Sequence, residues 1–173
     1  MSEACADAAA PGGDRRILRT GVAVAGAIFV ADQASKLAIL DLLHLETRGR
    51  IEVLPFLEFV LVWNPGISYG LLPQEGALGR WGLVAFTVAA SIAIAVWLAR
   101  ARHRLTGLAL SLVLGGALGN LVDRIRFGAV VDFVPIHVGS ISGYVFNVAD
   151  AAIVVGVVRL LADGLLVRRG ERD

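Results

Sequence analysis

Three aspartates and two asparagines stand out in an apolar chain: Asn120 and Asp123, then Asp132, then Asn147 and Asp150. Two carboxyl groups held close together in a low-dielectric site cannot both ionise easily, so one keeps a proton that the other lacks. The ionised member can take a proton from water. The protonated member can hydrogen-bond to a carbonyl and polarise it. Such a pair can hydrolyse a peptide bond without a covalent intermediate, and it titrates as a unit. Residue types alone leave open whether Asp123 or Asp132 partners Asp150. Other chemistries have little support. There is no Gly-x-Ser-x-Gly elbow or Ser/Lys pair, and the single cysteine, Cys5, lies in a tail. His44, His103 and His137 fall on different segments without metal-ligand spacing, so no metal and no cofactor is expected.

The elements that must carry these groups are membrane helices. The chain has 173 residues, 57% hydrophobic and 18% charged, with a mean hydropathy of +0.73. So few charges cannot keep the surface of a soluble domain polar, and the composition excludes a disordered chain. A net charge of +1 excludes a strongly basic nucleic-acid binder. About 20 mostly apolar residues cross a bilayer core. Four spans are predicted: 17–40, 81–99, 105–122 and 144–167. The second and third are free of charge. The first carries Arg19, Asp32 and Lys36, and the fourth Asp150, Arg159 and Asp163.

Arginines set the orientation. Arg15, Arg16 and Arg19 precede the first span, Arg100, Arg102 and Arg104 crowd the second connection, and Arg168, Arg169 and Arg172 follow the last. With four spans these places share one face, so that face and both termini are expected to be cytoplasmic. Residues 1–14 are expected to form a flexible cytoplasmic tail, 15–167 a single four-helix domain, and 168–173 a second tail. The N-terminus lacks the order of a cleaved signal peptide, and Cys5 follows no apolar run that would mark lipidation. The outer connection 41–80 alternates at Arg50–Val53 and is β-branched and aromatic at Phe59–Trp63. It predicts two or three short strands, an outer β-rich insert over about 43–78, with Trp63 and Tyr69 at headgroup level.

Charge in hydrocarbon is costly, about 2.5–3.5 kcal/mol per residue on insertion scales, so each such group is a candidate for function. Asp32 and Lys36, four apart, share a helix face. Lys36 is the only lysine among 16 basic residues, which points to a role for a compact ammonium. On the third span Gly116, Asn120 and Asp123 share a face, and Gly115-x-x-x-Gly119 lets a helix or a substrate backbone come close. If Asp123 ends the third span and Asp150 lies about 9 Å into the fourth, topology gathers Asp123, Asp132 and Asp150 at one outer depth. Arg159 can snorkel toward the cytoplasm.

Four segments then fit a known family. Asp32-Gln33-Ala34-Ser35-Lys36, Asn64-Pro65-Gly66-Ile67-Ser68-Tyr69-Gly70, Gly115 to Arg124 with Val130-Val131-Asp132-Phe133, and Phe146-Asn147-Val148-Ala149-Asp150 resemble the bacterial lipoprotein signal peptidases (signal peptidase II), over roughly residues 20–165. The resemblance implies an aspartic endopeptidase of the inner membrane, active near its outer face, that cuts prolipoproteins before a diacylglyceryl-modified cysteine. It implies that Asp132 and Asp150 form the catalytic dyad. Asn120, Asp123, Arg124 and Asn147 match the polar residues around it, and Asp32, Lys36 and Asn64 match residues near the substrate. It also implies globomycin sensitivity and a small outer β-subdomain. Pro65 and Tyr69 stand where the family often has other residues. Lipid-modified prolipoproteins and membrane lipids are the expected partners, with no nucleic acid, and the chain is expected to be a monomer.

Two other readings use the same residues. A proton-coupled carrier could use intramembrane acids, but it calls for acids at the midplane and an inverted repeat, and no repeat is visible. A scaffold for membrane proteins gives no reason for an Asp/Asn cluster.

Overall fold

The computed structural model describes residues 13–54, 57–66, 77–138 and 141–170. Four long helices carry the chain: α1 (Arg15–Leu37), α3 (Ala77–Ala99), α4 (Arg104–Phe127) and α5 (Val148–Gly170). A π-helical turn, Ala38–Leu42, extends α1, and the short α2 (Leu45–Arg48) follows it. α1 with its π turn, α3 and α4 are each long and apolar enough to cross a membrane. α5 is 23 residues long but carries Asp150, Arg159 and Asp163, the last two ion-paired at 2.5 Å.

α4 is the central element and packs against α1, α3 and α5. Its glycines make this possible. A Cβ on Gly115 would meet the backbone of Ala25 in α1, and one on Gly116 would meet the Ala149 carbonyl and Ile153 in α5. The stripe expected to admit either a helix or a substrate backbone is therefore filled by helices. One apolar cluster, Ile17, Leu98, Ala101 and Leu110, closes the end of the bundle where α1 begins.

The opposite end is covered by three two-stranded sheets. β1 (Arg50–Leu54) pairs antiparallel with β2 (Leu57–Val60), and β5 (Val134–Val138) with β6 (Ile141–Phe146). β3 (Val62–Asn64) pairs with β4 (Val130–Asp132), placing Asn64 opposite Val130 and Val62 opposite Asp132. Ile39, Leu45, Val131 and Phe133 form the core beneath them, with Phe59 edge-on to Phe133 at 5.8 Å. Strands appear where alternation and β-branching predict them, at 50–54 and 57–64.

Two predicted boundaries are corrected. The fourth helix starts at Val148, not Tyr144, because Tyr144–Phe146 are the end of β6 and Asn147 caps the helix. The third long helix does not end at Asp123 but continues to Phe127. Gly128, at φ +79°, takes the left-handed turn that ends it, and its N–H bonds to the Arg124 carbonyl at 3.1 Å. Arg80 of α3 satisfies the same helix end, donating to the Arg124 carbonyl at 3.0 Å and the Ile125 carbonyl at 2.6 Å.

Candidate active site

The site begins with a buried ion triad. Asp32, Lys36 and Asp123 are 0%, 3% and 1% exposed. The Lys36 ammonium has three protons and three acceptors: Asp32 Oδ2 at 2.8 Å, Asp123 Oδ2 at 2.7 Å and Asn120 Oδ1 at 3.0 Å. A planar, longer guanidinium does not fit this compact arrangement, which accounts for the one lysine in an arginine-rich chain. Gln33, quoted in the sequence motif but not singled out, completes it. Its Nε2 donates to Asp32 Oδ2, Asp123 Oδ1 and the Gly119 carbonyl at 3.1–3.2 Å.

This triad positions two chain segments. Asp123 Oδ2 accepts from the Val131 N–H at 3.2 Å and so fixes β4, the strand that ends in Asp132. Asp32 Oδ1 accepts from the Ala149 N–H at 2.9 Å and so fixes the first turn of α5, which carries Asp150. Asp32 and Lys36 are therefore buried behind the segments that carry Asp132 and Asp150.

Asn147 and Asn120 link the rest. Asn147 Oδ1 accepts from the Asp150 N–H at 2.9 Å, an N-cap bond. Its Nδ2 donates to Asp132 Oδ1 at 2.6 Å. Asn120 Oδ1 is held by Lys36, which turns Asn120 Nδ2 toward Asp150 Oδ1 at 2.8 Å. Asn64, brought in by the β3–β4 pairing, donates to Asp132 Oδ2 at 3.1 Å, and its own Oδ1 accepts from the Gly66 N–H. Burial, and then the neighbouring Asp150 charge, push the Asp132 carboxyl up from 3.8 to about 7. Asn64, Asn147 and Lys36 act in the opposite direction.

Arg124 does not pair with its neighbour Asp123. Its Nη2 donates to the Gly66 carbonyl at 3.0 Å and its Nη1 to the Asn120 carbonyl at 3.3 Å. Its buried Nε has no hydrogen-bond partner among the described residues. Asn64, Asn120, Arg124 and Asp150 line one end of a groove of about 290 Å³. The groove continues between α3, over α4, and α5 along Phe86, Ala90, Ile94, Val113, Ala117, Ile153 and Val154. It is polar at the carboxylate end and apolar beyond.

The structure thus brings together nine of the ten residues singled out in the sequence: Asp32, Lys36, Asn64, Asn120, Asp123, Arg124, Asp132, Asn147 and Asp150. Gly116, the tenth, is a packing contact to α5 on the face of α4 away from Ala117. Residues 67–70 of the Asn64–Gly70 segment, with Tyr69, lie outside the described residues, as does Cys5. The described residues contain no group of three or more His, Cys, Asp or Glu placed to hold a metal ion.

A membrane-embedded bundle with a strand-borne and a helix-borne aspartate linked through Asn147, the second lining an apolar groove, defines an integral membrane enzyme with the parts of a peptidase. Residues 24–166 match the family described as Signal peptidase (SPase) II. The chain is similar to the lipoprotein signal peptidases of Methylobacterium radiotolerans, at 50% identity over 85% of this chain and 86% of the relative, and of Methylorubrum extorquens, at 53% over 85% and 86%. Two solved bacterial membrane enzymes share the fold. One has a TM-score of 0.74 at 28% identity, covering 90% of this chain and 92% of that one. The other has 0.72 at 26%, covering 85% and 93%. The chain belongs to the signal peptidase II family, and it is a peptidase of that family.

Proposed function

We propose that the chain is an aspartic endopeptidase that removes signal peptides from prolipoproteins, cutting before the diacylglyceryl-modified cysteine. The observation that carries this is that one amide, Asn147, holds the Asp132 carboxyl and caps the helix at Asp150, whose carboxyl lines one end of the apolar groove.

In this reading Asp132 and Asp150 share one proton. The ionised carboxylate takes a proton from a water molecule, whose oxygen attacks the scissile carbonyl carbon. The protonated carboxyl donates to the carbonyl oxygen as it gains charge. The tetrahedral intermediate collapses when the amide nitrogen takes a proton from the dyad, and the peptide bond breaks. Asn120, Asn147 and Asn64 hold the carboxylates against rotation, which keeps the attack geometry. The unpartnered Nε of Arg124 is available to a carbonyl of the bound peptide. The apolar groove past Ala117 receives the hydrophobic part of the signal peptide, while the diacylglyceryl group stays in lipid. Substrate room lies on the Val113/Ala117 face of α4, not on its glycine face.

The same reading gives α5 as a fourth span. Its charges are accommodated by the site at one end and by the Arg159–Asp163 pair further along. The arginines before and at the start of α1, between α3 and α4, and at 168, 169 and 172 put that end, with both termini, in the cytoplasm. The sheets and the dyad then face outward from the inner membrane. Residues 15–167 act as one monomeric domain, with tails at 1–14 and 168–173. The test is cleavage of a diacylglyceryl-modified prolipoprotein beside its unmodified form. Cleavage that depends on the lipid and is blocked by globomycin supports the proposal. Equal cleavage of both forms contradicts it.

A further inference from the structure

At the end of the bundle far from Asp132 and Asp150, a groove of about 400 Å³ runs between α1 and α4. Arg16 and Arg104 stand at its mouth, and Ile17, Thr20, Gly21, Val24, Leu105 and Leu108 form its walls. The α1 side, Arg16 to Val24, covers about 12 Å of helix. Leu105 and Leu108 are exposed, at 54% and 44%. The groove is therefore basic at the helix ends and apolar toward the middle of the span.

Arg15, Arg16, Arg19, Arg100, Arg102 and Arg104 gather at this end. None has a side-chain ion pair or hydrogen bond among the described residues. Asp14, the acid beside them, is engaged as the cap of α1, accepting from the Arg16 N–H at 2.7 Å. Two arginines at the mouth of a trough that opens onto hydrocarbon match a phosphate with an acyl chain attached.

We propose that this groove binds one anionic phospholipid. The headgroup phosphate lies between Arg16 and Arg104, and an acyl chain lies along Ile17, Val24 and Leu108. The site is separate from the peptidase site and requires only that the bundle crosses a membrane.

The test is native mass spectrometry of the full chain released from detergent, titrated with phosphatidylglycerol or phosphatidylcholine. Melting temperatures serve as the folding control. Phosphatidylglycerol is expected to stay bound as a single adduct and phosphatidylcholine is not. The double variant R16Q/R104Q should weaken binding by about fivefold per arginine, about 25-fold in all. R100Q/R102Q removes the same charge outside the groove and should change binding less than about twofold. Leu108→Trp fills the trough at an exposed position and should weaken binding with the charge intact. Equal losses in the two arginine pairs would mean a diffuse charge effect and would overturn the site. So would displacement of the lipid by glycerol phosphate, which has the phosphate without the chains. A second protein chain in place of the lipid adduct would overturn it too.

Discussion

Asn147 donates to Asp132 Oδ1 at 2.6 Å while its own Oδ1 accepts from the Asp150 N–H, so one buried amide anchors the first carboxylate and caps the helix that carries the second. Replacing it with Ala removes a cap and a carboxylate anchor together. Asn147→Ala should cost roughly 1–2 kcal/mol of stability. Turnover should fall by about 100-fold, the scale expected when reacting groups lose their alignment. Melting in detergent and single-turnover cleavage check the two effects separately. Turnover near wild type would mean that the cap, and not the carboxylate geometry, is what Asn147 serves.

The pH dependence follows from Asp132. Its carboxyl is raised to about 7, well above the ordinary value of 3.8. The folded state therefore holds this proton more tightly than the unfolded state. The stabilisation is fully present below about pH 4 and is lost as pH rises through about 7. Turnover should also fall above pH 7, as the pair loses the proton it must donate. A melting curve series from pH 5 to 8.5 should show declining stability in the wild type and a flatter dependence in Asp132→Asn. A wild-type optimum well above pH 8 would contradict the shared-proton arrangement.

Lys36 is buried between two buried carboxylates, Asp32 and Asp123. Lys36→Met should destabilise by about 3–5 kcal/mol, because it leaves uncompensated buried charge. For a chain of this size that is a melting shift of roughly 10 °C. The neutral triple variant D32N/K36M/D123N should recover part of that loss, since well-packed neutral groups can replace a buried ion network. Melting of the two variants in the same detergent distinguishes a burial effect from a purely catalytic one. A single variant within about 1 kcal/mol of wild type would show that the triad does not hold β4 and α5.

Adjacent residues on α4 should behave oppositely. A Cβ at Gly116 would press on the Ala149 carbonyl, so Gly116→Ala should lower the melting temperature. Ala117 lines the groove, so Ala117→Leu should leave melting nearly unchanged and raise KM for the prolipoprotein. If Ala117→Leu raises no KM, the signal peptide does not lie along this groove.

Much of the site was legible because charge in an apolar span is conspicuous. Asp32, Lys36, Asp123 and Asp150 could be picked out by their surroundings alone, and the lone lysine signalled a compact ammonium. What they touch was not legible. Lys36 joins α1 to α4 through Asp123, and that contact depends on tertiary packing. The pairing of β3 with β4 joins residues 62–64 to 130–132, a separation that no local pattern encodes. Hydropathy alone starts α5 too early because the apolar run continues through Tyr144–Phe146, which belong to β6. The signal that marks the true start is Asn147 with Asp150 three residues on, a cap that hydropathy does not weigh. The glycines of α4 allow either partner by spacing alone, and only the neighbouring backbones at Ala25 and Ala149 decide for helices.

The most direct test of the central claim is single-turnover cleavage of a diacylglyceryl-modified prolipoprotein by wild type, Asp132→Asn and Asp150→Asn, each with its melting temperature. The account predicts that both variants fold, melt within a few degrees of wild type and lose cleavage by at least about 1,000-fold. Cleavage within about tenfold of wild type in either folded variant would contradict it, because a dyad cannot lose one carboxyl and keep its chemistry.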